Sequence, residues 1–259
     1  MLFDEINRKL ESKLDKKLDN LKRKQLEDGF KKNKVMNQVL DKSTMMTLYK
    51  MIQNHIIAYV NGVVSAGKES LLFWAVDENN VDIALKIYLV STSNFKKRES
   101  YIIGDPRFSK IKKGTRNLVY LWAKKEFKNF SQCYNNDIPV PKPLYVLNNV
   151  FAMQFIGNNG SPEKLLLESE VNEMDYKESI NLLKKLYDDA KLVHGDYSEY
   201  NIFKTNHGLI LFDLGSAVDI RHSNAKDFLQ RDIRNINRFF SKRGIPVIDS
   251  SKLFEDIVK

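Results

Sequence analysis

One polar run governs what this chain can become: His194-Gly195-Asp196-Tyr197-Ser198-Glu199-Tyr200-Asn201, with Asp213-Leu214-Gly215 beginning twelve residues after Asn201. It sets three oxygen-bearing side chains, Asp196, Asn201 and Asp213, at fixed separations. Apolar pairs flank the run (Leu192-Val193 and Ile202-Phe203), and Leu209-Ile-Leu-Phe212 has the character of a short strand. A loop held between such elements delivers all three side chains to one edge. Phosphoryl transfer from a nucleoside triphosphate asks for that set. One carboxylate orients the nucleophilic oxygen, while an amide oxygen and a second carboxylate hold Mg²⁺ on the β- and γ-phosphates. A plain polar turn would account for a lone Asp-x₄-Asn, but not for the His before it and the Asp-x-Gly after it.

The same chemistry needs a cation on the α- and β-phosphates. Ile83-Ala84-Leu85-Lys86-Ile87-Tyr88 supplies one. Strand alternation sends Ile83, Leu85 and Ile87 to one face and Ala84 and Lys86 to the other, so a small residue lies against the base and Lys86 reaches the phosphates. Residues 118–134 read as an amphipathic helix whose apolar arc holds Leu118, Val119, Trp122, Ala123, Phe127, Phe130 and Tyr134. Glu126 falls inside that arc. A carboxylate facing a core is unfavourable unless paired, and Lys86 is its natural partner. Glu99 is a rival acid, but it lies in a stretch with no comparable apolar face.

Between Asn61 and Ser70 the chain carries Gly62, Ser65, Gly67 and Lys68 just ahead of the apolar run Leu71–Val76. Small residues allow backbone to approach phosphate, and Ser65 and Lys68 add a hydroxyl and a charge. Gly62-x₄-Gly67-Lys68 nearly spells a Walker A loop, but Glu69 stands where Ser or Thr must bind Mg²⁺. A Walker loop also opens a helix. The run here is short, aromatic and strand-like, so strand–loop–strand is expected, with the Walker reading and a plain hairpin turn as the alternatives.

These residues resemble the RIO-type atypical protein kinases, and the type-one branch in particular, from about Leu40 to the C-terminus. The matching segments include Ser65-Ala-Gly-Lys-Glu69, Lys86–Lys96, Gly104-Asp-Pro-Arg-Phe108, Trp122–Lys128, Met153-Gln-Phe-Ile-Gly157, His194–Asn201 and Phe228-Leu-Gln-Arg-Asp232. The resemblance implies an α+β, two-lobed protein-kinase-like fold, with a small β-sheet N-lobe (41–153) and a truncated, mainly helical C-lobe (154–259). It implies ATP with Mg²⁺ or Mn²⁺, serine/threonine kinase and ATPase activity, a protein acceptor or autophosphorylation, and a place in small ribosomal subunit maturation. Carried over residue by residue, Asp196, Asp213 and Lys86 are catalytic, and Asn201 and Asp213 hold metal. Ser65, Lys68, Ala84, Glu126 and the hinge residues Met153, Gln154 and Ile156 join Lys86 around the nucleotide. Ala66, Gln154 and Ser216 depart from the usual Thr, Glu and Gln.

Gly195 stands where typical kinases have the Arg of His-Arg-Asp, and only 44 residues follow Gly215, none spelling Ala-Pro-Glu. A short loop and two helices are expected there, one of them over Asp227–Lys242. Cys133, the single cysteine, excludes an internal disulfide and a Cys₄ metal site, and reads as a packed thiol. His194 is expected to brace the loop by hydrogen bonds. No apolar run approaches about 18 residues and the N-terminus is charged within five, so neither a signal peptide nor a span is expected, and the location is taken as cytoplasmic. The net charge of +9 favours an acidic partner such as ribosomal RNA or the pre-small-subunit particle. Residues 1–34 carry eleven Lys or Arg against seven acids with leucines at helical spacing, which reads as a basic amphipathic extension over 1–40. A second basic stretch, 89–116, reads as a long, mobile or functional insertion.

Overall fold

A computed structural model describes residues 40–90, 98–108 and 114–259. The chain divides into two units, Met1–Asp41 and Lys42–Lys259, and the second holds all the elements below. The proposed basic extension lies outside the described residues, as do Lys96, Lys97, Lys110, Lys112 and Lys113.

After helix α1 (Lys42–Gln53) come strands β1 (Tyr59–Ala66), β2 (Ser70–Val76) and β3 (Asp82–Tyr88), then helix α2 (Thr115–Tyr134), β4 (Pro143–Leu147) and β5 (Val150–Gln154). The strands form one antiparallel sheet ordered β1-β2-β3-β5-β4. Central β3 is covered on both faces: Ile83, Leu85 and Ile87 are buried, and so are Ala84 and Tyr88 on the side that also carries Lys86. α2 lies on the sheet through Phe127 and Phe130, whose rings meet Phe151 edge-on at 5.8 and 5.2 Å. The apolar arc read from the sequence is therefore the packing face of α2 as far as Phe130, because a 3.6-residue period puts those positions on one side, while Tyr134 at its end is exposed.

Composition marks 154–162 only as a break, but the chain forms a short hairpin there, β6 (Gly157–Asn158) with β7 (Ser161–Pro162). The hairpin folds back on the sheet. Asp82 accepts from Trp74 Nε1 at 2.7 Å and from the Asn159 amide at 2.9 Å. Gly160 has φ +76°, and a Cβ there would lie 2.5 Å from the Trp74 ring, so side chains are excluded.

The remaining part holds α3 (Glu173–Asp188), β8 (Leu192–Val193), the hairpin β9 (Ile202–Thr205) and β10 (Gly208–Leu211), β11 (Val218–Asp219), α4 (Ala225–Lys242) and α5 (Ser250–Val258). Asn172 caps α3 by accepting from Met174 and Asp175, and Asp249 caps α5 in the same way. Two helices follow Gly215, as expected. A continuous apolar core joins Ala84, Phe130, Phe151 and Met153 of the sheet side to Leu183, Tyr197, Leu211 and Ile233 of the helical side.

Candidate active site

β3 and α2 bring Lys86 and Glu126 together at 2.8 Å, although 40 residues separate them. Lys86 Nζ also donates to Asp213 Oδ1 at 2.8 Å. Glu99 takes no part. Glu126 is fully buried, and its second oxygen accepts from the Tyr88 hydroxyl, a partner that the sequence reading missed. Burial pushes the Glu126 carboxyl up to about 7 against the pull of Lys86. For Asp213, burial also pushes upward, but the Lys86 charge and hydrogen bond outweigh it and hold the carboxyl at about 2. Lys86 itself is raised, since its two carboxylates outweigh burial.

Lys86 and Asp213 close one end of a cavity of about 240 Å³. Leu72, Ala84, Met153, Ile156, Phe203 and Phe212 give it apolar walls, with Ser65 and Gln154 also on its lining. A flat apolar slot ending in a cation and a carboxylate suits a base joined to a phosphate chain. Lys68 stands exposed at the β1–β2 tip and does not line the cavity. Strands lie on both sides of that tip, which removes the Walker reading, since no helix opens there.

Asp196 sits on the loop between β8 and β9. Asn201 Nδ2 donates to the Asp196 carbonyl at 2.9 Å and to its Oδ2 at 3.3 Å, so neither contact engages the Asn201 side-chain oxygen. The Asn201 and Asp213 oxygens suit Mg²⁺ completed by phosphate and water. Burial and the Asp213 charge raise Asp196 above the ordinary carboxylate value, which suits a proton acceptor.

What fixes this loop differs from the expectation. His194 is buried and packs edge-on against Tyr197 at 5.6 Å, beside the Phe212 backbone; neither ring nitrogen makes a close hydrogen bond, and burial outweighs the Asp213 charge and the Phe212 backbone to lower it to about 4. The neutral ring is wedged between Tyr197 and the Phe212 backbone. The hydrogen bonds come instead from Asp232 on α4, which accepts from the Gly195 and Tyr197 amides at 2.8 and 3.0 Å. Asp232 lies on the buried stripe with Leu229, Ile233 and Ile236, so it was as legible in the sequence as Glu126. Gly195 has φ +75°, and a Cβ would lie 2.8 Å from the Ser216 carbonyl oxygen. No arginine fits at that position. Arg231 of α4 donates to the Gly195 carbonyl instead.

α2 also grips the segment after Asp213, a second feature missed from the sequence. Lys125, buried and lowered to about 7 mainly by that burial, donates to the Gly215 and Ala217 carbonyls. Asn129 donates to Leu214 and Ala217 at 2.7 and 2.9 Å. Asp213 is held at φ 56° immediately before this anchored turn. Cys133 is a packed thiol pushed up to about 12 by burial.

Part of the basic stretch 89–116 is structural. Arg107 binds buried Asp105 through two nitrogens, at 2.9 and 2.7 Å, and donates to Asn129 at 2.8 Å. Arg98 pairs with Glu69 and lies over the Trp122 ring at 4.9 Å. Arg107 serves the interior, and the Arg98 charge is matched by Glu69.

A RIO domain model matches residues 71–253, which include Lys86, Glu126, Asp196, Asn201, Asp213 and Asp232. The chain belongs to the RIO family. Its relatives include the RIO-type serine/threonine-protein kinase Rio1 of Methanocaldococcus jannaschii, 34% identical and covering 93% of this chain and 84% of that one. Rio1 of Haloferax volcanii is 36% identical, covering 86% and 77%. The Caenorhabditis elegans serine/threonine-protein kinase RIO1 is 35% identical over 93% of this RIO chain, which spans only 48% of that relative's length. Among solved structures, the Rio2 kinase of Chaetomium thermophilum in an ADP/Mg²⁺–phosphoaspartate complex aligns with TM-score 0.62 at 21% identity, covering 81% of this chain and 64% of that one. That likeness fits the kinase-like α+β fold expected from the sequence.

Proposed function

We propose that this RIO chain is an ATP- and Mg²⁺-dependent serine/threonine kinase with ATPase activity. The observation that carries the reading is Lys86 held between Glu126 and Asp213, at 2.8 Å from each, at the end of an apolar slot. Adenine enters between Ala84 and the Met153–Ile156 hinge, Lys86 takes the α- and β-phosphates, and Ser65 lies along the phosphate side. Asn201 and Asp213 would hold Mg²⁺ or Mn²⁺, which would supply charge neutralisation at the phosphates. Asp196 accepts the proton of the acceptor hydroxyl as its oxygen bonds to the γ-phosphorus. The bond from that phosphorus to the bridging oxygen breaks, and ADP leaves with the oxygen.

A second reading is a nucleotide-gated assembly factor for the cytoplasmic pre-small-subunit particle, in which hydrolysis times release. The net charge of +9 favours a polyanionic partner such as ribosomal RNA. The phosphoaspartate of the Rio2 complex suggests Asp213 as a transient acceptor, since a carboxylate is a competent nucleophile.

Incubation with [γ-³²P]ATP, with and without small-subunit particles, separates the two. A kinase accumulates hydroxylamine-resistant phosphoprotein over many turnovers. A timing ATPase releases phosphate faster with particles and carries label that hydroxylamine removes. Lys86→Ala is expected to lower both products by orders of magnitude with the fold retained, and near-normal turnover in that variant overturns the site.

A further inference from the structure

Lys86 and Tyr88 lie two residues apart on β3, so strand alternation sends both from one face of the sheet toward α2. The Tyr88 ring shares a buried apolar cluster with Leu118, Val119, Trp122 and Ala123 of that helix. Glu126 follows one turn after Trp122 and Ala123, on the same side. Its two oxygens are divided between the β3 residues: Oε1 accepts from Lys86 Nζ at 2.8 Å, and Oε2 from the Tyr88 hydroxyl. Lys86 Nζ also lies 5.5 Å from the centre of the Tyr88 ring, within the range of a cation–π contact. One tyrosine thus touches both members of the ion pair, its ring the cation and its hydroxyl the carboxylate.

Packing alone would be satisfied by an apolar ring. Tyr88 is 3% exposed and Glu126 0%, and a hydroxyl buried that deeply is unfavourable unless it is hydrogen-bonded. The carboxylate needs the hydroxyl in turn, because a buried acid stays ionised only where its oxygens meet donors. Orientation depends on the same contact. Lys86 stands between two acids, Glu126 and Asp213, at 2.8 Å from each. Held through Oε1 alone, the Glu126 carboxylate would be free to turn about its terminal bond, whose rotamers are broad. Lys86 would then move with it, or settle on Asp213. With Oε2 tied to a ring that is itself packed in place, the plane of the carboxylate is set, and Lys86 is set with it.

We propose that Tyr88 is a positioning residue for phosphoryl transfer, its hydroxyl fixing Glu126 and, through Glu126, aiming Lys86 at the phosphates. This rests on the kinase reading of the site and adds a residue to it. Tyr88 does not line the nucleotide slot, so it acts through the ion pair and not on the nucleotide.

Tyr88→Phe removes the hydroxyl and keeps the ring. In the full chain, turnover of [γ-³²P]ATP in Mg²⁺ is expected to show kcat lowered about tenfold or more, the scale of one lost hydrogen bond to a charged group. The KM for ATP is expected to stay within about twofold, since the walls of the slot are untouched. The deciding comparison is a double-mutant cycle with Glu126→Ala. Acting through Glu126, Tyr88→Phe should change kcat less than about twofold once Glu126 is gone, whereas a packing role lowers it by the same factor in both backgrounds. Urea melts of the same four proteins read the coupling without relying on activity: Tyr88→Phe should destabilise the wild-type chain and not the Glu126→Ala chain. Unchanged kcat in Tyr88→Phe, a change confined to KM, or equal effects in both backgrounds overturns the proposal. Failure of the kinase reading shows differently, as ATP turnover that persists in Lys86→Ala.

Discussion

At the residue scale, this RIO chain places three buried or half-buried carboxylates around one loop and sets them apart by environment. Asp213 is depressed to about 2, while Glu126 and Asp232 are each raised to about 7 by burial. The consequences for stability have opposite signs. A depressed carboxylate contributes stability that is present above its ordinary pKa and lost as pH falls through the folded value. A raised one is the reverse: the folded state binds the proton more tightly, so stability declines as pH climbs from the ordinary value of 3.8 toward about 7. Asp232 adds a functional conflict. Its two oxygens accept from the Gly195 and Tyr197 amides, so protonation turns an acceptor toward a donor and loosens the loop that carries Asp196. Asp232→Asn brings the same conflict permanently, because its amide nitrogen must face one of those amides. We expect Asp232→Asn to flatten the fall in melting temperature between about pH 4 and 7, and to lower kcat about 100-fold through misplacement of Asp196. Thermal melts across that range, with kcat measured at pH 8, check both. An unchanged slope would show that Asp232 does not titrate there.

At the element scale, α2 does more than complete the Lys86 pair. Glu126 faces β3, while Lys125 and Asn129 hold the carbonyls of Leu214, Gly215 and Ala217, so one helix fixes Lys86 and the turn after Asp213 together. Arg107 extends the chain of contacts by gripping Asn129 from one side and Asp105 from the other. Both side chains of the Asp105–Arg107 pair are nearly inaccessible, at 0% and 8% exposed. Removing one member of such a pair strands the other, which costs about 3–5 kcal/mol, whereas replacing both with apolar residues of similar volume is close to neutral. Arg107→Ala should therefore be strongly destabilising in urea melts, and Asp105→Leu with Arg107→Met should recover most of the loss. Equal losses in the single and double variants would mean that the pair is not coupled. This network also marks the limit of what was legible in the sequence. Lys86, Glu126 and the Asp196–Asn201–Asp213 spacing were readable because a charged residue on an apolar stripe, or three oxygens at fixed intervals, is locally improbable. Asp232 carried the same signal and was passed over, as one acid in an otherwise ordinary amphipathic helix. Lys125 and Asn129 bind backbone carbonyls far away in the chain, and nothing local distinguishes them from the solvated polar residues around them.

At the scale of the whole molecule, the apolar core runs without interruption from the sheet through Met153 and Phe155 into the helical part. Polar ties cross the same division: Lys86 to Asp213, Lys125 to Gly215 and Asn129 to Leu214. Two lobes sharing one core and one set of buried hydrogen bonds cannot melt separately without exposing both, so residues 42–259 should unfold in a single transition. The proposed nucleotide site draws on both sides of that division, with Ala84 and Lys86 on the sheet and Asp213 and Asn201 on the helical side. A ligand that binds only the folded state adds about 2.7 kcal/mol at a hundred times its Kd. ATP with Mg²⁺ at that excess should therefore raise the one melting temperature as a whole, without splitting the transition. Asp213→Asn should keep the cooperative melt, because the side-chain amide still offers an oxygen to Lys86, but lose most of the metal-dependent part of the shift. Differential scanning calorimetry with ATP alone, and then with ATP and Mg²⁺, reads both effects. Two resolved transitions, of which ATP and Mg²⁺ move only one, would refute the single shared core. A full metal-dependent shift in Asp213→Asn would instead remove Asp213 from the metal site.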